Sequence, residues 1–236
     1  MDKRLDVVYI LGDFSKTNDF DFRMSLRSIC KHIVFRRVHV VGHLPDWVQN
    51  VWHTPGYDVY PNKQSNAIEK ILLACESSEV SADFLLMNDD FLFLSDFSSF
   101  PVFHCGTLSS LATSYCAGRY RKALLNTCSL FDCAKLKNYE IHFPFVVNKK
   151  RFLSLFKEKY DYVRCPVVYR SIYFHHFPVK SVYSRDFKAY RFNQFKEMIK
   201  KKYFVSTDNA FNTNEEYLFL CKSLFPMPCK FEKPLF

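Results

Sequence analysis

Three short apolar runs, separated by stretches of helical periodicity, restrict this chain more than any other feature of its sequence. Residues 6–11 (Asp-Val-Val-Tyr-Ile-Leu), 37–42 (Arg-Val-His-Val-Val-Gly) and 83–90 (Asp-Phe-Leu-Leu-Met-Asn-Asp-Asp) are largely β-branched or apolar, and each runs into glycine or acid. Short apolar runs bounded by turn residues suit strands covered on both faces. Between them, residues 22–32 set Leu26, Ile29 and Cys30 on one helical face. Residues 65–75 do the same with Ile68, Ile71, Leu72 and Cys75, and Ser65 is the expected N-cap. Strands alternating with helices predict an α/β fold, a mostly parallel twisted sheet flanked by helices. In such sheets ligands gather at the C-terminal ends of the strands. Here those ends are Gly12-Asp13, Gly42-His43 and Asn88-Asp89-Asp90, which makes Gly12 and Asp13 candidate substrate-binding residues.

From about residue 100 the pattern is weaker. The sheet is expected to gain short strands, and the chain to finish with helices over 191–202 and 214–224. With 236 residues and 48% hydrophobic content, one core and a single domain over 1–236 are expected. Five glycines, no internal repeat and no low-complexity tract exclude a disordered or repetitive chain. The apolar run behind the charged residues 1–5 is too short for a signal-peptide core, and no run approaches the roughly 18 residues of a membrane span. A cytoplasmic location is the expectation. Nine cysteines, an odd number with no C-x-x-C pair, read as reduced and mostly buried thiols rather than a disulfide framework or a zinc site.

The net charge of +9 is unevenly spread. Residues 145–236 hold 18 Lys and Arg against 8 Asp and Glu, whereas 1–144 hold 15 against 16. Aromatics such as Tyr183, Phe187, Tyr190 and Phe195 are interleaved with the positive charge. A basic, aromatic surface suits a polyanion; a solvated lysine-rich helix over an aromatic core accounts for it equally.

Asp89 and Asp90 end a buried strand, where adjacent carboxylates are costly unless a positive charge meets them. Mg²⁺ or Mn²⁺ bound to substrate phosphate oxygens would supply it, with Asp89 and Asp90 as ligands. A turn or helix cap is the plainer account of Asn-Asp-Asp.

From these acids outward the chain resembles the Stealth family of hexose-1-phosphate transferases. The family's first strand, Asp-Val-Val-Tyr, is matched by Asp6-Val7-Val8-Tyr9, and its second block by Asp21-Phe22-Arg23-Met24-Ser25-Leu26-Arg27-Ser28-Ile29. Gly42-His43-Leu44-Pro45-Asp46-Trp47 matches the Gly and Pro-x-Trp that follow, and Ser65-Asn66-Ala67-Ile68-Glu69 the Ser-x-Ala-Ile-Glu. Asn88-Asp89-Asp90, His142-Phe143-Pro144, Arg170-Ser171 and the closing Phe225-Pro226 with Phe231-Glu232-Lys233 complete the series. The chain departs at Ile10-Leu11-Gly12-Asp13, where the family has Thr-Trp-Val-Asp/Asn-Gly.

The resemblance implies a GT-A-like, metal-dependent transferase acting on a nucleotide-sugar donor, with a UDP-sugar favoured. Residues 1–100 would form the donor and metal half, and 101–236 a basic acceptor half. Asp89 and Asp90 would hold the metal. Asp21 would orient the acceptor or act as base, His142 would be a general base or phosphate-binding group, and Arg170 would stabilise diphosphate charge, with Arg164 its rival. Asp6, Arg23, Asn66 and Asn88 would contribute to substrate binding. His175 and His176 read as structural residues on an aromatic-rich strand. Attack at the β-phosphorus would transfer sugar-1-phosphate; attack at the anomeric carbon would form a glycoside. The acceptor could be an anionic polymer, either polysaccharide or nucleic acid such as hydroxymethylated DNA. A non-catalytic nucleic-acid-binding protein is the alternative of another class.

Overall fold

In the computed structural model, residues 4–12, 19–132 and 135–234 are described. Strands β1 (Asp6–Leu11), β2 (Val38–Gly42), β3 (Trp52–Thr54) and β4 (Asp83–Met87) are parallel, and β7 (Phe145–Asn148) joins β4 antiparallel. The order is β3-β2-β1-β4-β7. As expected, the sheet is mostly parallel and flanked by helices. The second half adds only one strand to it. Its other strands form two ribbons, β5 (Phe91–Phe93) with β9 (Phe204–Ser206) and β6 (Val102–His104) with β8 (Ser181–Tyr183).

Side-chain alternation on β1 builds both cores. Val7, Tyr9 and Leu11 face one side, where they pack with Phe22, Leu26 and Ile29 of α1 (Phe20–His32). Val8 faces the other, against Ile68, Ile71 and Leu72 of α2 (Lys63–Glu76). That second core continues through Phe152 of α5 (Lys149–Phe156) and Ile172, Tyr173 and Phe174 of α6 (Tyr169–His176). Burial on both faces explains why the strands read as unbroken apolar runs. The N-cap of α2 is Asn62, whose side chain accepts from Gln64 N at 2.8 Å; Ser65 is buried inside the helix and donates to Tyr162 O. His175 and His176 end a helix rather than lying on a strand. The helix forms because its aromatic residues pack onto β7 on one face.

Gly42 ends β2 at φ 115°, and a Cβ there would lie 2.0 Å from Leu11 O. Only glycine lets the two strand ends run so close. Two smaller cores lie off the sheet. One gathers Met24, Leu92, Val205, Phe195 of α7 (Phe192–Lys200) and Tyr217 and Cys221 of α8 (Glu215–Leu224). The other joins α3 (Leu108–Thr113) and α4 (Arg119–Ser129). The two helices expected at the end of the chain are therefore present, and they cover the β5–β9 ribbon. No described helix is long and apolar enough to cross a membrane. Among the described cysteines, Cys30, Cys116 and Cys165 are exposed and only Cys75, Cys128 and Cys221 are buried, so the thiols are less buried than composition suggested.

Candidate active site

Past Met87 the chain turns through Asn88, Asp89 and Asp90 into β5, at the C-terminal edge of the sheet. Antiparallel pairing of β5 with β9 brings Ser206 and Thr207 alongside. Ser206 Oγ donates to Asp90 Oδ2 at 2.7 Å, and Thr207 N donates to Asp90 O at 3.1 Å. The segment at 187–189 pairs with Ser206 in turn, which places Lys188 beside the acid. Lys188 Nζ stands 3.8 Å from Asp90 Oδ2 and 3.9 Å from Asp208 Oδ2. Asp90 Oδ1 is buried and has no hydrogen-bond partner among the described residues. Asp89 is exposed. Loss of water around its carboxyl, followed by the charges of Asp90 and Asp21, raises it to about 7, an effect that its contact with solvent moderates.

An orphaned carboxylate oxygen next to a carboxylate repelled by its neighbours is a site short of positive charge. Asp89 and Asp90 therefore fit a hard divalent cation, Mg²⁺ or Mn²⁺, that draws its remaining ligands from water and phosphate. Among the described residues no group of three or more His, Cys, Asp or Glu could hold a metal by itself.

Beside the acids lies a cleft of about 320 Å³ whose lining includes Asn88, Glu140, His142, Asp186, Lys188 and Tyr190. His142 Nδ1 is 2.8 Å from Asp186 Oδ2, and His142 N donates to Asp186 Oδ1 at 2.8 Å. Burial alone would raise the Asp186 carboxyl, but the hydrogen bonds and charge of His142 hold it below the usual range. Asp186 is thus a carboxylate acceptor, and Nδ1 carries the proton it accepts. In the neutral imidazole Nε2 is then the basic nitrogen. A histidine fixed this way can take a proton from a hydroxyl in the cleft.

Arg170 also lines the cleft. Its Nη1 donates to Ile141 O at 2.8 Å and to Phe143 O, on either side of His142, and the group lies over the Phe145 ring. These bonds steady the segment that carries the histidine. Glu140 beside it is raised by burial, with Arg170 offsetting only part of that effect.

Asp21 is buried and accepts from Asn212 Nδ2 at 2.6 Å and Tyr217 OH at 2.7 Å. Burial, and after it Asp90, keep its carboxyl raised despite these donors. These bonds tie the start of α1 to Asn212 and Tyr217.

Four other candidates stand apart from the cleft. Asp6 opens β1 at the opposite edge of the sheet, bound to Arg36 through Oδ1 at 2.7 Å and Oδ2 at 2.5 Å. Arg23 pairs with Glu232 at 2.6 Å and lies over Trp47. Asn66 closes the turn before α2 through Tyr60 N and Tyr60 O, each at 2.8 Å. Arg164 is 91% exposed and reaches only Asp161, at 3.7 Å. Each is explained by the contacts it makes in the fold. Gly12 lies at the end of β1 as expected, near Asp58, and Asp13 falls outside the described residues. Asn88 does line the cleft.

Asp186, Lys188 and Asp208 were not singled out from the sequence. The available signal was Asp186-Phe187-Lys188, two opposite charges flanking an aromatic residue in an extended stretch, which sends both charges to one side and the ring to the other.

No protein-family model matches the chain, and no curated protein matches it in sequence. Solved structures do match in fold. A structure of the galactosyltransferase LgtC with donor and acceptor sugar analogues superposes with a TM-score of 0.55 at 8% identity, covering 96% of this chain and 98% of that one. A glycosyltransferase involved in glycosylating the major capsid protein of PBCV-1 matches with a TM-score of 0.46 at 11% identity, covering 92% and 99%. The fold is that of the GT-A glycosyltransferases.

Proposed function

We propose that this chain is a nucleotide-sugar-dependent transferase whose reaction takes place where the cleft meets Asp89 and Asp90. The observation that carries the reading is the joining, at the C-terminal edge of the sheet, of two under-compensated carboxylates with a carboxylate-held histidine and a lysine. Asp89 and Asp90 would hold Mg²⁺ or Mn²⁺, which when bound neutralises charge on the donor diphosphate. Asn88 and Lys188 are placed to bind polar and anionic groups of the donor. His142 takes the acceptor proton at Nε2, and Asp186 and Arg170 keep its ring in place. The fold likeness supports glycosyl transfer, with attack at the anomeric carbon and release of a nucleoside diphosphate.

Sugar-1-phosphate transfer is the second reading, favoured by the residue blocks shared with the Stealth family. The division into a donor half and an acceptor half belongs to the proposal, since Asn88, Asp89 and Asp90 come from 1–100 and His142, Asp186 and Lys188 from 101–236. An anionic acceptor gains little support from the cleft, where Glu140, Asp186 and Asp208 balance its cations.

Incubating the protein with a panel of sugar nucleotides, Mg²⁺ or Mn²⁺ and candidate acceptors, and weighing the released nucleotide, tests the reading. Nucleoside diphosphate is the expected product. Monophosphate would establish phosphotransfer instead, and salt-sensitive nucleic-acid binding without any release would favour the non-catalytic class.

A further inference from the structure

Along one flank of α1, its last turns meet the C-terminal segment, whose Phe231 and Cys229 pack against the core between α1 and the sheet. Arg27 donates to Phe225 O at 2.9 Å and pairs with Glu232 at 2.6 Å, while Lys31 donates to Leu224 O at 3.3 Å. Lys230 lies over the Phe35 ring at 5.4 Å. Contacts on both sides thus bracket Cys30, one turn beyond Arg27, and Cys229, one residue before Lys230. Glu232 Oε1 accepts both from Arg27 Nε at 2.6 Å and from Cys229 N at 3.0 Å, which seats Cys229 beside the edge of α1 that carries Arg27 and Cys30. Both line an open groove of about 710 Å³ whose charged lining residues, Arg27, Lys31 and Lys230, are all cationic. Cys30 is exposed and Cys229 half-buried.

We propose that Cys30 and Cys229 form a redox-active dithiol that is oxidised to an intramolecular disulfide by small disulfides of the glutathione type. Access, the cations Lys31 and Lys230 and a thiol on the facing segment favour a reactive pair, and the groove brings them together beside the mutually neutralised Arg27 and Glu232. The partners are not equivalent. Cys30, and the Phe231 backbone after it, lower the Cys229 thiol against its burial; Cys229 and burial raise Cys30. Cys229 supplies the first thiolate in this scheme, and the two single-serine variants test that order. Its thiolate attacks one sulfur of the oxidant R–S–S–R, forming a mixed disulfide and releasing RS⁻. Cys30 then loses its proton and attacks the Cys229 sulfur, expelling the second RS⁻. Two electrons pass from the dithiol to the oxidant, which leaves as two RSH after protonation. The new bond ties the C-terminal segment to α1, beside the Arg27–Glu232 pair that already holds it.

Treating the full chain with glutathione disulfide and mapping its peptides by mass tests the proposal. The expected result is one internal disulfide joining the Cys30 and Cys229 peptides. In Cys30→Ser, Cys229 should stop at the mixed glutathione adduct, forming on the order of tenfold faster than the Cys30 adduct in Cys229→Ser. An internal disulfide elsewhere, or adducts on both residues of the native chain without a bond between them, would overturn the pair. Equal adduct rates in the two variants would overturn the assignment of Cys229 as nucleophile.

Discussion

Asp6 opens β1, and Asp90 follows β4, the neighbouring parallel strand, so the two acids lie at opposite edges of one sheet. Asp6 is fully buried, but Arg36 grips both its oxygens and Ser81 N donates to Oδ2 at 2.8 Å. Burial would raise its carboxyl; Arg36, Ser81 and His39 outweigh that and hold it below 3.8. At the other edge, Asp90 keeps an oxygen without a partner, and Asp89 is pushed up to about 7. The N-terminal edge spends its charges on the fold. The C-terminal edge carries acids that the protein alone does not satisfy, as expected of a site completed by a ligand.

If that contrast is sound, substitutions at the two edges should separate activity from stability. The largest expected effect is on turnover. His142→Ala should lower it by roughly 10²–10⁴-fold through loss of proton transfer. Asp89→Ala should lower it by a comparable amount and leave the folded state as stable as before or more so, and Asp90→Ala should lower it as much while also losing the buried hydrogen bond from Ser206. Nucleotide release and thermal unfolding, measured on the same samples, check both halves. Full turnover in either aspartate variant, or in EDTA, would remove the metal from the reading.

At the opposite edge Asp6→Asn should do the reverse. Leaving Arg36 without its partner should cost about 3 kcal/mol, the low end for a broken buried pair because Arg36 still reaches water. Turnover per folded molecule should not change. The sign of the pH dependence follows from the lowered carboxyl. Its contribution is present above about 3.8 and is lost as pH falls through the lower folded value, so wild type and variant should converge once the pH is below that value. A stability gap that persists in acid would mean that packing, rather than charge, is what Asp6 supplies.

Asp89→Asn should show a smaller effect of opposite sign. A carboxyl raised in the fold favours its protonated form, so the penalty is absent below 3.8, grows as pH rises and is complete above about 7. The variant should match wild type at pH 4 and melt a few degrees higher at pH 8. Mg²⁺ at pH 8 should raise the melting temperature of wild type more than that of the variant. Identical melting curves at both pH values would show Asp89 to be solvated and unstrained.

How far this contrast could be read from the sequence depends on distance along the chain. The strands and α1 are written in local periodicity, because burial on both faces leaves a strand apolar throughout and burial on one face leaves a helix its apolar stripe. His142 carried a local signal as well. What turns it into a base does not, since Asp186 lies 44 residues away and Lys188 meets Asp90 only through the β5–β9 ribbon. The contacts of Arg170 and Asp21 were hidden for a matching reason. The partners that occupy them, Ile141, Phe143, Asn212 and Tyr217, come from elements that no pattern around the two residues announces.

The smallest effect is expected where composition drew most attention. The basic half of the chain includes the run Lys200, Lys201 and Lys202, at the end of α7 and just beyond it. β9 decides its position. Thr207 N donates to Asp90 O, whereas Leu94 N donates to Tyr203 O, so the ribbon runs away from the acids towards the lysines. Five residues separate Lys202 from Thr207, roughly 16 Å at strand spacing. That is about two Debye lengths at physiological ionic strength, and an exposed charge at that distance is largely screened. Replacing Lys200, Lys201 and Lys202 by Glu should therefore change the apparent acceptor constant by less than about twofold at physiological salt, whereas Lys188→Ala, inside the cleft, should weaken donor binding clearly. A large rise in the acceptor constant for the lysine variant, steepening at low salt, would mean that the acceptor is long enough to follow β9 to the far end of the ribbon. It would then be a polyanion, and the contrast would have to extend from the two edges of the sheet to the ribbon beside it.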